Sequence, residues 1–242
     1  SYWPEFWSMK YLNERKLEDR VAFAYQYLNT AVKSTEVGIS PELICKDEVP
    51  EEYDCLGVGI DLSCGLNEKN DWTVFTLGGI SKGKIYLIDQ RRVRSMGNME
   101  KIDILCEILA DWNLLLENED GQYFPTTSPC VVWPEAVAYQ TSFEGDFKRI
   151  MFENRALYNI SISPVKGFKG DKLARLRGVL GLYEHKRVVW NKWRKWNVLE
   201  EELLNFGHSA HDDAVDSMVL TMGGLLRRGN LQLDYNSDSF DL

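Results

Sequence analysis

The sequence predicts an α/β domain whose mixed sheet is covered by helices. Three observations carry that prediction: two β-rich runs split by a glycine turn between residues 71 and 93, short apolar strands alternating with helical segments from residue 98 onward, and helical rather than strand periodicity in the first 33 residues. Strands that begin with a hairpin and continue as βα units imply antiparallel and parallel pairing in one sheet.

The elements follow in order. WSMKYLNERKLEDRVAFAYQYLNTAV places apolar residues at helical intervals with no internal Gly or Pro, so residues 1–33 read as a helical arm. An acidic stretch with Gly38, Pro41 and Pro50 then reads as a linker. The expected division is an arm and linker over 1–52, the α/β domain over 53–228 and a polar tail over 229–242. YDCLGVGIDLS (53–63) is a buried strand ending near Asp61. DWTVFTLGGISKGKIYLIDQRRV (71–93) is a hairpin turning at Ser81–Gly83. Gly78, Gly83 and Lys84 imitate P-loop spacing, but Ile85 stands where Ser or Thr must hold magnesium, and a strand follows where a helix is needed. Residues 98–117 predict an amphipathic helix, CVVWPEA (130–136) a strand ending at Glu135, 139–155 a helix, 159–165 a strand and 171–185 a helix. VVW makes a short strand or turn, 196–206 a helix, and Ala214, Val215, Met218, Val219, Met222 and Leu225 form the apolar stripe of the last helix.

Bulk properties exclude several classes. No apolar run reaches the ~18 residues of a membrane span, and the start lacks a secretory signal pattern. A first residue other than Met fits processing or a piece of a longer chain. Five cysteines, an odd number with no CxxC pair, read as free thiols of a reducing compartment. The net charge of −9 argues against nucleic acid as an average, yet the charge is uneven. Residues 36–54 carry seven acids against Lys46, whereas 166–195 carry ten Lys and Arg against Asp171 and Glu184. A solvated helix face is the ordinary meaning of such a run, and the spacing of Trp190, Trp193 and Trp196 fits core packing.

The acids carry the chemistry. Asp61 and Glu135 end predicted strands, and sites in such sheets form beyond the carboxyl ends of parallel strands. FGHSAHDDAVDS (206–217) sets Asp212, Asp213 and Asp216 with His208 and His211 at the start of the last helix. Two-metal phosphodiester hydrolysis needs hard oxygen ligands from separate elements. Asp61 is the bridging candidate, Glu135 a second ligand, Asp212 and Asp213 the third contribution, and Asp71 a further member. Each acid also has a structural reading: Asp61 as a turn residue, Glu135 as a helix-start acid, Asp212 and Asp213 as a charge pair at a helix N-terminus. The residues alone leave both readings open.

Taken together, GIDLS…DWTVFTLGG, WPEAVAYQ, SPVKGFKGDKLARLRGVLGLYEHKRVVW and HDDAVDSMVL resemble the nuclease domain of the large terminase subunits of tailed bacteriophages. The resemblance implies a ribonuclease H-like fold. It implies Asp61, Glu135, Asp212 and Asp213 as catalytic metal ligands, Asp71 as a further one, and two Mg²⁺ or Mn²⁺ ions as cofactors. It gives Lys166, Lys169, Lys172 and Arg175 a role on DNA phosphates, with salt-sensitive binding. His211 would help position a ligand or a phosphate, and His208 would be structural. The N-terminal WPEFWSMKYLNERK…FAYQYLN resembles the end of the family's packaging ATPase domain. The implied activity is an endonuclease cutting double-stranded viral DNA to make genome ends, in the host cytoplasm at the procapsid. Its implied partners are the parent chain's ATPase domain, the portal and the small terminase subunit. The loop SCGLNEKN is longer than the family pattern, which leaves the role of Asp71 open. Two other readings stand beside this one: another ribonuclease H-like nuclease (a resolvase or transposase core), and a metal-stabilised interaction module without turnover.

Overall fold

The central strands are apolar on both faces, and only a sheet covered by helices on both sides can bury them. The computed structural model describes residues 8–18, 27, 39–63, 72–120, 123–126, 128–135, 140–153, 157–165, 172–206 and 211–228. Its strands are β1 (Cys45–Asp47), β2 (Cys55–Asp61), β3 (Thr73–Ser81), β4 (Lys84–Val93), β5 (Leu115–Glu117), β6 (Tyr123–Pro125), β7 (Cys130–Pro134), β8 (Ile160–Ile162) and β9 (Val188–Asn191). Its helices are α1 (Met9–Glu18), α2 (Asn98–Asp111), α3 (Gln140–Glu153), α4 (Lys172–Glu184), α5 (Asn197–Leu204) and α6 (Asp213–Arg228).

Seven strands form one sheet in the order β1-β9-β4-β3-β2-β7-β8, and β5–β6 make a separate two-stranded ribbon. β3 pairs antiparallel with both neighbours, and every other pairing in the large sheet is parallel. The carboxyl ends of all strands but β3 therefore lie along one edge. One face carries Ile102, Leu105 and Leu109 of α2 with Phe143 and Phe147 of α3. The other carries α4, α5 and α6 through Leu176, Tyr183, Leu199, Leu203, Met218 and Met222.

Two backbone irregularities shape the site edge. Lys82 and Gly83 both have positive φ (49° and 73°), which suits a two-residue turn whose twist matches the strands. The P-loop imitation is therefore a hairpin tip. In β4, Leu77 faces Asp89 while Gly78 faces Leu87, so Ile88 is an extra residue. The bulge moves Gln90 and Arg92 onto the α6 face, opposite Thr76 and Val74.

The structure departs from expectation in two places. The helix expected over 98–117 stops at Asp111, because Asn113 is left-handed (φ 54°) and Leu115–Glu117 pair with β6. The acidic stretch read as linker contributes β1, an exposed edge strand in register with β9. The short VVW strand is found as expected, as β9, and is buried throughout. Of the expected N-terminal arm, Met9–Glu18 is helical. The rest of the arm, apart from Ser8 and Tyr27, lies outside the described residues, as does the tail over 229–242. Among the described residues, no helix is long and apolar enough to cross a membrane.

Candidate metal centre at the carboxyl edge

Asp61 is the last residue of β2, and Glu135 follows the last residue of β7. These strands are parallel neighbours with Ile60 opposite Pro134, and the Glu135 N–H donates to the Ile60 carbonyl at 3.2 Å. Asp61 and Glu135 thus stand side by side, about 4.8 Å apart at the backbone. Alternation puts both on the α6 face: Val58 and Ile60 face α2, as does Val132, whereas Val131 and Trp133 face α6. Val165 continues the edge beyond Glu135, donating its N–H to Pro134 at 2.9 Å.

Helix α6 brings the other acids to this edge because it lies almost on the sheet backbone. The Gly59 N–H donates to Thr221 Oγ1 at 3.0 Å, and the Ser217 hydroxyl donates to the Gly59 carbonyl at 3.0 Å. A Cβ on Gly59 would sit 2.4 Å from Thr221 Oγ1, so only glycine permits this approach. Gln90 adds a strut, donating to the Ala214 carbonyl at 3.0 Å and to Thr76 Oγ1 at 2.8 Å.

At the head of α6, Asp213 Oδ2 accepts the backbone N–H of Trp72 at 3.2 Å. That bond joins the helix to the start of β3, which pairs with the end of β2 through Val74 and Asp61. His211 Nδ1 lies 3.9 Å from the same Asp213 oxygen, an ion pair only when the imidazole is protonated. Asp212 and Asp213 are both partly exposed.

The cap of α6 comes from another helix. Glu202 of α5, 5% exposed, accepts the N–H groups of Ala214 (2.9 Å) and Val215 (3.2 Å) through Oε2. Burial pushes its carboxyl up to about 7, the two N–H bonds oppose that, and Asp213 and Asp212 add to it. Glu202 was not among the expected site residues. Its signal was available: it falls three residues after Leu199 and one before Leu203, on the buried stripe of a helix. Lys101 was missed in the same way. It is 1% exposed on the apolar face of α2 and donates Nζ to the Ser63 carbonyl at 2.9 Å. Ser63 is further held by Thr73, whose Oγ1 accepts the Ser63 N–H at 3.0 Å. The chain just beyond Asp61 is therefore fixed on two sides.

The structure sets Asp61 beside Glu135 at the carboxyl edge and ties Asp213, with Asp212 before it, to the start of β3 on that edge. Asp71, Lys166 and Lys169 lie outside the described residues. Lys172 and Arg175 belong to the first turns of α4. Among the described residues, no three or more His, Cys, Asp or Glu side chains form a ready-made cation cage. Asp61, Glu135, Asp212 and Asp213 are the candidate donors. The donors are hard oxygens from three separate elements, which suits a divalent cation of the Mg²⁺ or Mn²⁺ type. A cavity of about 460 Å³ lies elsewhere, beside the amino end of β2, lined by Tyr53, Asp54, Leu56, Trp112, Asn113 and Pro129.

A mixed sheet with one reversed strand, helices on both faces and acids at the carboxyl edge defines a ribonuclease H-like α/β domain. Comparison with solved structures gives that fold a narrower likeness. Two structures of the large terminase of one thermophilic bacteriophage match with TM-scores of 0.60 and 0.59, the second in complex with ADP, each at 16% identity. They cover 91% and 92% of this chain and 52% and 53% of the terminase. The large terminase nuclease of thermophilic phage G20c with bound cobalt matches at a TM-score of 0.50 and 16% identity, over 79% of this chain and 98% of its own. At such identities the likeness is one of fold, and the chain spans about half the length of the first of these terminases. No protein-family model matches the chain, and no curated protein does.

Proposed function

We propose that this chain is the nuclease part of a phage DNA-packaging large terminase, a metal-dependent endonuclease that cuts double-stranded viral DNA to generate genome ends. One observation supports the reading: the acids ending β2 and β7 lie side by side, and Asp213 at the head of α6 is bonded to the start of β3 along the same edge. Asp61, Glu135, Asp212 and Asp213 hold two divalent ions, Mg²⁺ or Mn²⁺, with Asp71 as a further ligand. When bound, such ions clamp the attacking and leaving oxygens of a phosphodiester. The chain's own residues set the geometry. Glu202, Gln90 and Trp72 fix the first turn of α6, and Lys101 and Thr73 fix the stem after Asp61. Lys166, Lys169, Lys172 and Arg175 contact DNA phosphates.

The fold likeness to the G20c nuclease supports this reading, and the cobalt bound to that protein supports a divalent ion. The large terminase in complex with ADP supports an ATPase domain in the parent protein. Portal and small terminase subunit are its partners at the procapsid, in the host cytoplasm. The test is nicking and linearisation of supercoiled plasmid with Mg²⁺, Mn²⁺ or EDTA, alongside Asp61→Asn and Asp213→Asn. Metal-dependent cutting lost in both folded variants is expected. Cutting that survives EDTA, or survives both substitutions, would overturn the assignment.

A further inference from the structure

Trp72 does more than hold Asp213. The guanidinium of Arg92 lies 4.1 Å from its ring centroid and that of Arg94 lies 3.9 Å away. Arg92 lies at the carboxyl end of β4, which the bulge at Ile88 has turned towards α6, and Arg94 follows just beyond the strand. Two like charges on one indole repel each other, and a cation–π contact at such a site is weak. Surface ion pairing does not offset that repulsion. Among the described residues neither arginine has a carboxylate partner, and Arg94 Nε is buried without a hydrogen-bond acceptor. Arg91, between them and the bulge in sequence, shows the contrast. It points to the other face and meets Asp89, Glu107 and Asp111.

We propose that Arg92 and Arg94, stacked on Trp72, form a phosphate clamp for duplex DNA beside the acid edge. The clamp rests on the nuclease reading and deepens it. A chain of net charge −9 with carboxylates along one edge repels a polyanion there, and two guanidinium groups without a carboxylate partner among the described residues, stacked on the tryptophan whose backbone holds Asp213, reverse the local field. Stacking holds each guanidinium plane so that its terminal N–H groups can grip phosphate oxygens in pairs, which a lysine does not do. Because the Trp72 backbone also holds Asp213, a DNA strand seated on the clamp is positioned relative to the acids. The phosphates it takes are those flanking the cleaved one.

The experiment uses the whole chain, a short fluorescent duplex and Ca²⁺ in place of Mg²⁺, reading anisotropy across a KCl series. Arg92→Ala, Arg94→Ala and the double variant are compared with a charge-matched control, Arg227→Ala/Arg228→Ala, at the exposed far end of α6. The double clamp variant is expected to bind about tenfold or more weakly, with a salt slope shallower by about 2. The control should stay within about twofold of the parent. Arg92→Lys/Arg94→Lys should fall between, and melting curves check that all variants fold. Clamp variants that match the parent, or match the control, would remove the clamp and leave the nuclease reading intact. A parent chain that binds neither duplex nor Mn²⁺ would remove both.

Discussion

Alanine at Gly59 tests whether the close approach of α6 to β2 sets the acid edge. The added Cβ would lie 2.4 Å from Thr221 Oγ1, 2.5 Å from Thr221 N and 2.6 Å from the Ser217 carbonyl oxygen. Ordinary contacts need about 3.5 Å, so the helix must withdraw by about 1 Å. Withdrawal strains or breaks the bonds from Gly59 N–H to Thr221 and from Ser217 to the Gly59 carbonyl, each worth about 1 kcal/mol. Overpacking adds about 1–3 kcal/mol, for a total near 3–5 kcal/mol. The same withdrawal carries Asp212 and Asp213 away from Asp61. Urea unfolding followed by tryptophan fluorescence measures the first effect, and Mn²⁺ calorimetry the second. Gly145→Ala is the internal control: a Cβ there meets nothing within 4 Å, and removing a mid-helix glycine should stabilise by about 0.5–1 kcal/mol. A Gly59→Ala protein within about 1 kcal/mol of the parent, with unaltered Mn²⁺ affinity, would refute the reasoning.

Other outcomes follow from the same structure. Because the Glu202 carboxyl sits near 7 in the fold, above the ordinary 4.5, its protonated form favours folding. That contribution is full below pH 4.5 and is lost as pH rises through 7, with an upper limit of about 3 kcal/mol. Thermal melts between these pH values, without metal, should show a steeper decline in the parent than in Glu202→Gln, and equal slopes would contradict it. Lys101→Met removes a charged donor from a buried carbonyl and should cost about 2–3 kcal/mol in urea unfolding, whereas a neutral result would show that Ser63 needs no anchor. Burial pushes the Cys106 and Cys130 thiols up to about 12, while Cys45 is exposed. Iodoacetamide on the native protein should therefore mark Cys45 and spare those two, and early labelling of Cys130 would show that β7 is open to solvent.

The parts of the fold legible in the sequence were those fixed by local patterns. The hairpin at Lys82–Gly83, the strand ends at Asp61 and Glu135, and the apolar stripe of α6 each follow from residue spacing within one element. What escaped depends on partners distant in the chain. Cys45–Asp47 is exposed and carries no periodicity, and it is a strand only because β9 runs beside it. Leu114 and Leu115 extend an apolar helical pattern, but the left-handed turn at Asn113 diverts them into the β5–β6 ribbon. Within the site, the carboxylates were read from strand and helix ends. The burial of Glu202 and Lys101 is legible in their places on apolar helix stripes, but the partners that they and the arginines on Trp72 contact lie on other elements, which no spacing rule encodes.

The most direct measurement is crystallographic: soak the protein in Mn²⁺ and locate the ions by their anomalous scattering. The account predicts two peaks about 3.5–4 Å apart, enclosed by Asp61, Glu135 and the Asp212–Asp213 pair. Well-ordered acids with no peak between them, or manganese bound only away from this edge, would contradict it.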